Sequence, residues 1–239
     1  PQWFLARAPA GSVFPDARGG RPLLLVFRGT DSLADAERDL CATAVPHGDL
    51  GARFHAGFLE GVRDDTALHD ALEFYVGADH LYLIGHSLGG ALALTMLGAD
   101  LLPGAHRGAT TVIALGAPKC LLGPLGARAS SARVLSIVHD ADLVPRLPGP
   151  ASPHRWITPP QQELILLRGS TALAVPRGDA DGVLAVEQSV RLRATRAYSD
   201  HSPAAYVDAL AAAKNSAAER AAAAQRDGTG SEPQHFAAG

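Results

Sequence analysis

The sequence predicts an α/β fold: a mainly parallel central sheet with helices on both faces and an antiparallel extension toward the C-terminus. Two observations carry this. Short apolar runs at Leu23 to Phe27, Leu81 to Ile84, Thr111 to Leu115 and Arg133 to Val138 read as strands buried on both sides. Between the first three of them lie stretches with helical spacing, and strands alternating with helices argue for crossover connections and parallel pairing.

Residues 1 to 20 are rich in Pro, Gly and Ala and read as an extended arm with one short strand near Trp3 to Ala6. The run Leu23 to Phe27 is bounded by Pro22 and Gly29 and ends in Arg28-Gly29-Thr30. Apolar residues at Phe58, Val62, Leu68, Leu72 and Tyr75 predict one long amphipathic helix, with Gly77 as its stop. Leu81 to Ile84, a tight turn, and Leu88 to Leu97 before Gly98 form a strand, turn and helix. Further on, His154 to Thr158 and Leu164 to Leu167, joined across Pro159-Pro160-Gln161-Gln162, predict an antiparallel hairpin, to which Val183 to Val186 adds a third strand. Ser202-Pro203 opens an Ala-rich helix to about Ala224, with Ser as cap and Pro at the first helical position. One domain is expected over residues 1–225, and 226–239, polar and aperiodic, read as a disordered tail.

Composition narrows the function classes. A chain of 239 residues, 47% hydrophobic, suits one sizeable core. Its 21 basic and 24 acidic residues give a net charge of −3 without a dense Lys/Arg run, which argues against nucleic acid as a partner. Cys41 and Cys120 have no metal-like spacing and read as small buried hydrophobes or one long-range disulfide. No apolar stretch reaches the roughly 18 to 20 residues of a membrane-spanning helix. The chain starts at Pro1, so a removed signal segment and a cytoplasmic location both stay open, as does the oligomeric state.

The chemistry concentrates at Gly85-His86-Ser87-Leu88-Gly89, a G-x-S-x-G pattern placed between an apolar strand and an apolar helix. Such a turn lifts a serine hydroxyl above the sheet, and the glycines let strand and helix approach. A phosphate loop is the competing reading, but no Lys follows the glycines. Serine needs a histidine to take its proton and a carboxylate to orient that histidine, in the chain order Ser, Asp, His for this kind of sheet. Asp142 follows the strand ending at Val138, with Asp140 as its rival. Of the downstream histidines, His154 comes too soon and His235 lies in the tail, which leaves His201, just before the capped helix. For the oxyanion, one donor is the backbone N–H of Leu88 and the second is expected from Thr30, after the first buried strand.

These motifs together resemble the class 3 lipases, the fungal-lipase-like branch of the α/β hydrolases. In order they are Phe27-Arg28-Gly29-Thr30, His55-Ala56-Gly57-Phe58, the stretch Gly85 to Ala93, Gly116-Ala117-Pro118, the stretch Asp142 to Pro148, and Asp200-His201. The resemblance implies the α/β-hydrolase fold, a triad of Ser87, Asp142 and His201, oxyanion donors at Thr30 and Leu88, and hydrolysis of carboxylic esters, commonly of glycerolipids, with neither cofactor nor metal. It favours Asp142 over Asp140, because the family's acid directly precedes an apolar-Val-Pro turn. The implied partner is an ester or lipid substrate, met in solution or at a lipid–water interface. A catalytically silent lipid-binding protein and an acyltransferase using the same triad are the alternatives. Where the family carries a lid, residues 31–40 hold two leucines, several charges and no aromatic group, which fits a modest lid and soluble or shorter acyl chains. His55, His86 and Cys120 read as structural, with strand alternation pointing His86 away from the serine's side.

Overall fold

The protein's structure, a computed structural model, describes residues 1–9, 11–12, 14, 21–29, 43–48, 52–75, 80–104, 110–123, 131–139, 142–148, 152, 154, 156–158, 161–189 and 199–228. Along the chain the strands are β1 (Trp3–Arg7), β2 (Leu23–Phe27), β3 (Ala44–Pro46), β4 (Arg53–His55), β5 (Leu81–His86), β6 (Thr110–Leu115), β7 (Leu121–Leu122), β8 (Arg133–His139), β9 (Glu163–Arg168) and β10 (Thr171–Val175). The helices are α1 (Ala56–Arg63), α2 (Thr66–Phe74), α3 (Leu88–Gly98), α4 (Ala180–Ser189) and α5 (Pro203–Gly228).

Among the described residues the main sheet has seven strands, in the order β1-β2-β5-β6-β8-β9-β10. β2, β5, β6, β8 and β9 pair in parallel, while β1 and β10 close the edges antiparallel. The expected architecture is therefore present, with its antiparallel extension at the C-terminal edge. Register sorts the side chains into two faces. Gly85 is level with Ala114 on β6, which is level with Ser136 on β8, and this row faces α3. The opposite face, which includes Ile113, Ile137 and Ile165, packs against Tyr206, Ala209 and Ala213 of α5.

Helix α3 is buried along its whole length from Gly89 to Gly98, as expected of a helix apolar all round. It packs on β2, β5 and β6, and its Leu92 and Met96 join Leu25, Leu83, Phe58 and Val62 in the largest apolar cluster. Roughly 1.5–3 kcal/mol per fully buried large apolar side chain makes this helix the principal anchor of the turn that precedes it.

Three expectations are corrected. The single helix from Phe58 to Val76 is two helices, because Asp65 caps α2: its Oδ1 accepts the Leu68 N–H at 3.0 Å and its Oδ2 accepts the Trp3 indole N–H at 2.9 Å. The hairpin is β9-β10, turned by Gly169 at φ +56° and Ser170, whereas the described residues among 154–158 contribute a bridge from Ile157 to Leu121. Val183 to Val186 lie in α4, where Asp179 caps the Gly182 N–H at 2.8 Å and Val183 packs on Val138, Leu164, Leu166 and Val175. A small sheet of β3, β4 and β7 was not anticipated. α5 begins as expected, with Ser202 Oγ accepting the Ala205 N–H at 3.1 Å, and continues to Gly228. Thr30, the lid stretch 31–40, Cys41, Gly77, Asp140, Pro159, Pro160, His235 and residues 229–239 lie outside the described residues.

Replacing Asp65 with Ala removes the cap of α2 and leaves the Trp3 indole unpaired. A loss of about 1–2 kcal/mol is expected in urea unfolding at unchanged m value, and a midpoint equal to wild type would contradict it.

Candidate active site

The turn between β5 and α3 is built by backbone strain and close approach. Ser87 sits at φ 56°, ψ −128°, outside the regions ordinary residues occupy, and its side chain is buried. Its N–H is tied to the Leu115 carbonyl at 2.8 Å, and its carbonyl accepts the N–H of Gly90 at 3.0 Å. A Cβ on Gly85 would collide with the Gly89 carbonyl group, and one on Gly89 with the Phe27 carbonyl, so both positions admit only glycine. Leu88 is the first residue of α3, where a backbone N–H has no partner inside the helix. Gly29 runs against this turn, since a Cβ on it would lie 2.8 Å from the His86 carbonyl oxygen and 3.4 Å from Ser87 Cβ.

Ser87, Asp142 and His201 come together from three separate places. His201 Nε2 is 2.7 Å from Ser87 Oγ, and His201 Nδ1 is 2.9 Å and 3.1 Å from the two Asp142 oxygens. All three are buried, Asp142 completely. With Nδ1–H donating to the carboxylate, Nε2 is left as the lone pair that faces the serine hydroxyl. Asp142 Oδ1 also accepts the Val144 N–H at 2.9 Å, inside a single turn of tight helix at Val144–Arg146.

One partner of Asp142 was missed in the sequence. Tyr206, in the first turns of α5, donates its hydroxyl proton to Asp142 Oδ2 at 2.6 Å and accepts the His139 N–H at 3.1 Å. Burial, followed by the Asp142 carboxylate beside it, pushes the phenol well above its usual range, so it stays a donor. Gly116, at φ +57°, makes room for this pair: a Cβ there would lie 2.7 Å from the Tyr206 oxygen and 2.9 Å from Asp142 Oδ2.

His86 also departs from expectation. Alternation does turn it away from α3, but the opposite face is the one that carries the base, and its ring stands 4.7 Å from the ring of His201. His154 lies elsewhere, its Nε2 accepting the Ala44 N–H at 3.4 Å, and His55 is stacked on Phe58 at 3.9 Å as a packing residue. Cys120 is a buried free thiol, and burial pushes it up to about 12, which leaves it without a nucleophilic thiolate at neutral pH. Among the described residues, no group of His, Cys, Asp and Glu has the arrangement of a metal site, and no helix is long and apolar enough to cross a membrane.

The sequence pattern of the family described as Lipase (class 3) matches residues 24–152, more than half of the chain. The chain belongs to that family. Among solved structures, lipase II from Rhizopus niveus superposes with a TM-score of 0.58 at 22% identity, over 72% of this chain and 68% of that one. The triacylglyceride lipase of Rhizomucor miehei gives 0.53 at 21% identity, over 66% of this chain and 62% of that one. A triacylglycerol lipase described as having a serine protease triad at its catalytic centre gives 0.55 at 20% identity, over 72% and 68%. This class 3 lipase family member therefore has the α/β-hydrolase fold of these enzymes and matches less than two thirds of the Rhizomucor miehei enzyme's length. A search of curated proteins finds no significant match.

Two measurements follow from this geometry. Tyr206→Phe strips a donor from the buried Asp142 carboxylate and an acceptor from the His139 N–H, so a loss of about 1–3 kcal/mol in denaturant unfolding is expected, and wild-type stability would contradict it. In a Cys41→Ser variant, the remaining thiol at Cys120 should resist DTNB at pH 8 in the native state and react on unfolding; prompt native labelling would contradict its burial.

Proposed function

We propose that this protein is a serine hydrolase that cleaves carboxylic esters of lipids, acylglycerols or related compounds, through an acyl-enzyme on Ser87. The observation that carries the proposal is the 2.7 Å approach of His201 Nε2 to the oxygen of a strained, buried serine, with His201 Nδ1 fixed on Asp142. His201 takes the Ser87 proton as Oγ attacks the acyl carbon, and returns it to the departing alcohol oxygen. Water then attacks the acyl-Ser87 carbonyl, giving its proton to the same nitrogen, and His201 passes that proton to Ser87 Oγ as the bond from the acyl carbon to Oγ breaks and the carboxylic acid leaves.

Both steps pass through a tetrahedral oxyanion, and each preorganised donor is worth about 10² to 10³ in rate. The Leu88 N–H, unspent at the start of α3, is one donor in this reading. Thr30 is the other, supported by the contact of its neighbour Gly29 with the serine turn. Lipid esters are the favoured substrates because the chain belongs to the lipase (class 3) family. The weakly apolar stretch 31–40 favours soluble or short-chain esters over a reaction that depends on an interface.

A fluorophosphonate probe should label the native protein at Ser87, and Ser87→Ala should lower hydrolysis of a short p-nitrophenyl ester by roughly 10⁴-fold or more, to background. A folded wild type that neither labels nor hydrolyses would overturn the proposal. Rates followed through the solubility limit of the ester should rise smoothly; an abrupt jump at that limit would refute the modest-lid reading.

A further inference from the structure

His86 ends β5 at the serine turn yet touches neither the serine oxygen nor the core on the α3 side. Its ring lies 4.7 Å from the ring of His201, tilted by 34°, and 5.5 Å from the ring of Tyr206. Its Nε2 is buried without a hydrogen-bond partner. A buried polar atom left unmet is unfavourable, so packing alone would be served better by leucine or phenylalanine.

We propose that His86 is a positioning residue for His201: its ring packs against the ring of the base and, while uncharged, receives the imidazolium that forms when His201 takes the Ser87 proton. This rests on the hydrolase reading above. An aromatic face within reach of a cation attracts it, and one ring against another confines the imidazole to the rotamer that serves both Asp142 and Ser87.

The arrangement works only while His86 is uncharged. The groups facing it are His201 from the turn Ser199–His201, the Asp142 carboxylate from the loop after β8, and the Tyr206 phenol from α5, itself in reach of Arg146 and of His139 on β8. Arg28, next along β2, instead sends its guanidinium to Gln2 at the surface. Burial, then the charge on His201, hold His86 below the ordinary histidine range, and the Asp142 carboxylate does not reverse this. A group whose folded value is lowered stays neutral to lower pH, and a charge on His86 beside a protonated base would set two like charges side by side.

The test uses the full chain with His86→Ala and His86→Phe. His86→Ala should lower kcat by about 10- to 100-fold with KM within about 2-fold of wild type, and His86→Phe, which keeps a neutral ring, should recover most of it. In wild type, log kcat/KM should steepen from a slope of one to a slope of two once pH is low enough to charge both rings, whereas in His86→Phe it should stay at one. Nitrogen NMR of the histidines should show the His86 ring uncharged at pH 7. An unchanged kcat in His86→Ala, the same steepening in His86→Phe, or an imidazolium at His86 at pH 7 would overturn the proposal. If wild type neither hydrolyses esters nor takes the fluorophosphonate, the hydrolase reading fails separately, and the charge state of His86 together with the ring shifts of His201 in His86→Ala still decides whether His86 backs the base.

Discussion

The site depends on one carboxylate taken wholly out of water. A carboxylate in that position is tolerated only when its oxygens are met by donors, because desolvation otherwise costs several kcal/mol. Asp142 meets this demand from three directions: the His201 ring, the Tyr206 hydroxyl and the Val144 N–H. These donors fix the short turn at Ser199–His201, the start of α5 and the loop after β8 relative to one another. The base is oriented by the same contacts that satisfy the acid, so its geometry is a consequence of burial and not a separate achievement. His139 reinforces the arrangement from the end of β8, giving its N–H to Tyr206 and bonding through Nδ1 to the Asp200 carbonyl at 3.2 Å.

The nucleophile is held by a different economy. Its strained backbone has to be over-determined by its surroundings, at a cost of order 1–3 kcal/mol. Parallel pairing of β5 with β2 and β6 holds one side of the turn, and the buried helix α3 holds the other. The apolar run on each side of Ser87 is thus the means by which a single unfavourable φ is maintained.

Much of this was legible in the sequence, for physical reasons that also explain the failures. Buried parallel strands announce themselves as short apolar runs, and G-x-S-x-G between such a run and an apolar helix is a local signal, so β2, β5, β6, β8 and α3 were readable to within about two residues. Chain order pointed to His201, which the fold brings within hydrogen-bond reach of Ser87, and the motif after Asp142 pointed to the carboxylate that meets His201. Tyr206 was not readable, because a tyrosine five residues after His201 carries no sign of what its hydroxyl will meet. The break between α1 and α2 was missed because apolar periodicity continued across it while Asp65 acted as a cap. The turn Gly169-Ser170 is a two-residue hairpin signal that went unread when the hairpin was placed across Pro159 and Pro160. Val183 looked like a strand residue because a β-branched side chain packs on a sheet equally well from a helix laid over it.

The two faces of the sheet explain why the serine has to stand where it does. Gly85 and the glycines after Ser87 belong to the α3 face, whereas His86, Tyr206 and His201 belong to the α5 face. A residue within β5 can present its side chain to one face only, since alternate side chains point opposite ways. The residue just past the strand's carboxyl end escapes that restriction, but only by adopting a backbone conformation that projects its Cβ beyond the sheet edge. Ser87 at φ 56° does this, and His86, one residue earlier and still within the strand, is left facing the base. The nucleophile and the ring that backs His201 are therefore adjacent in sequence because a strand ends between them.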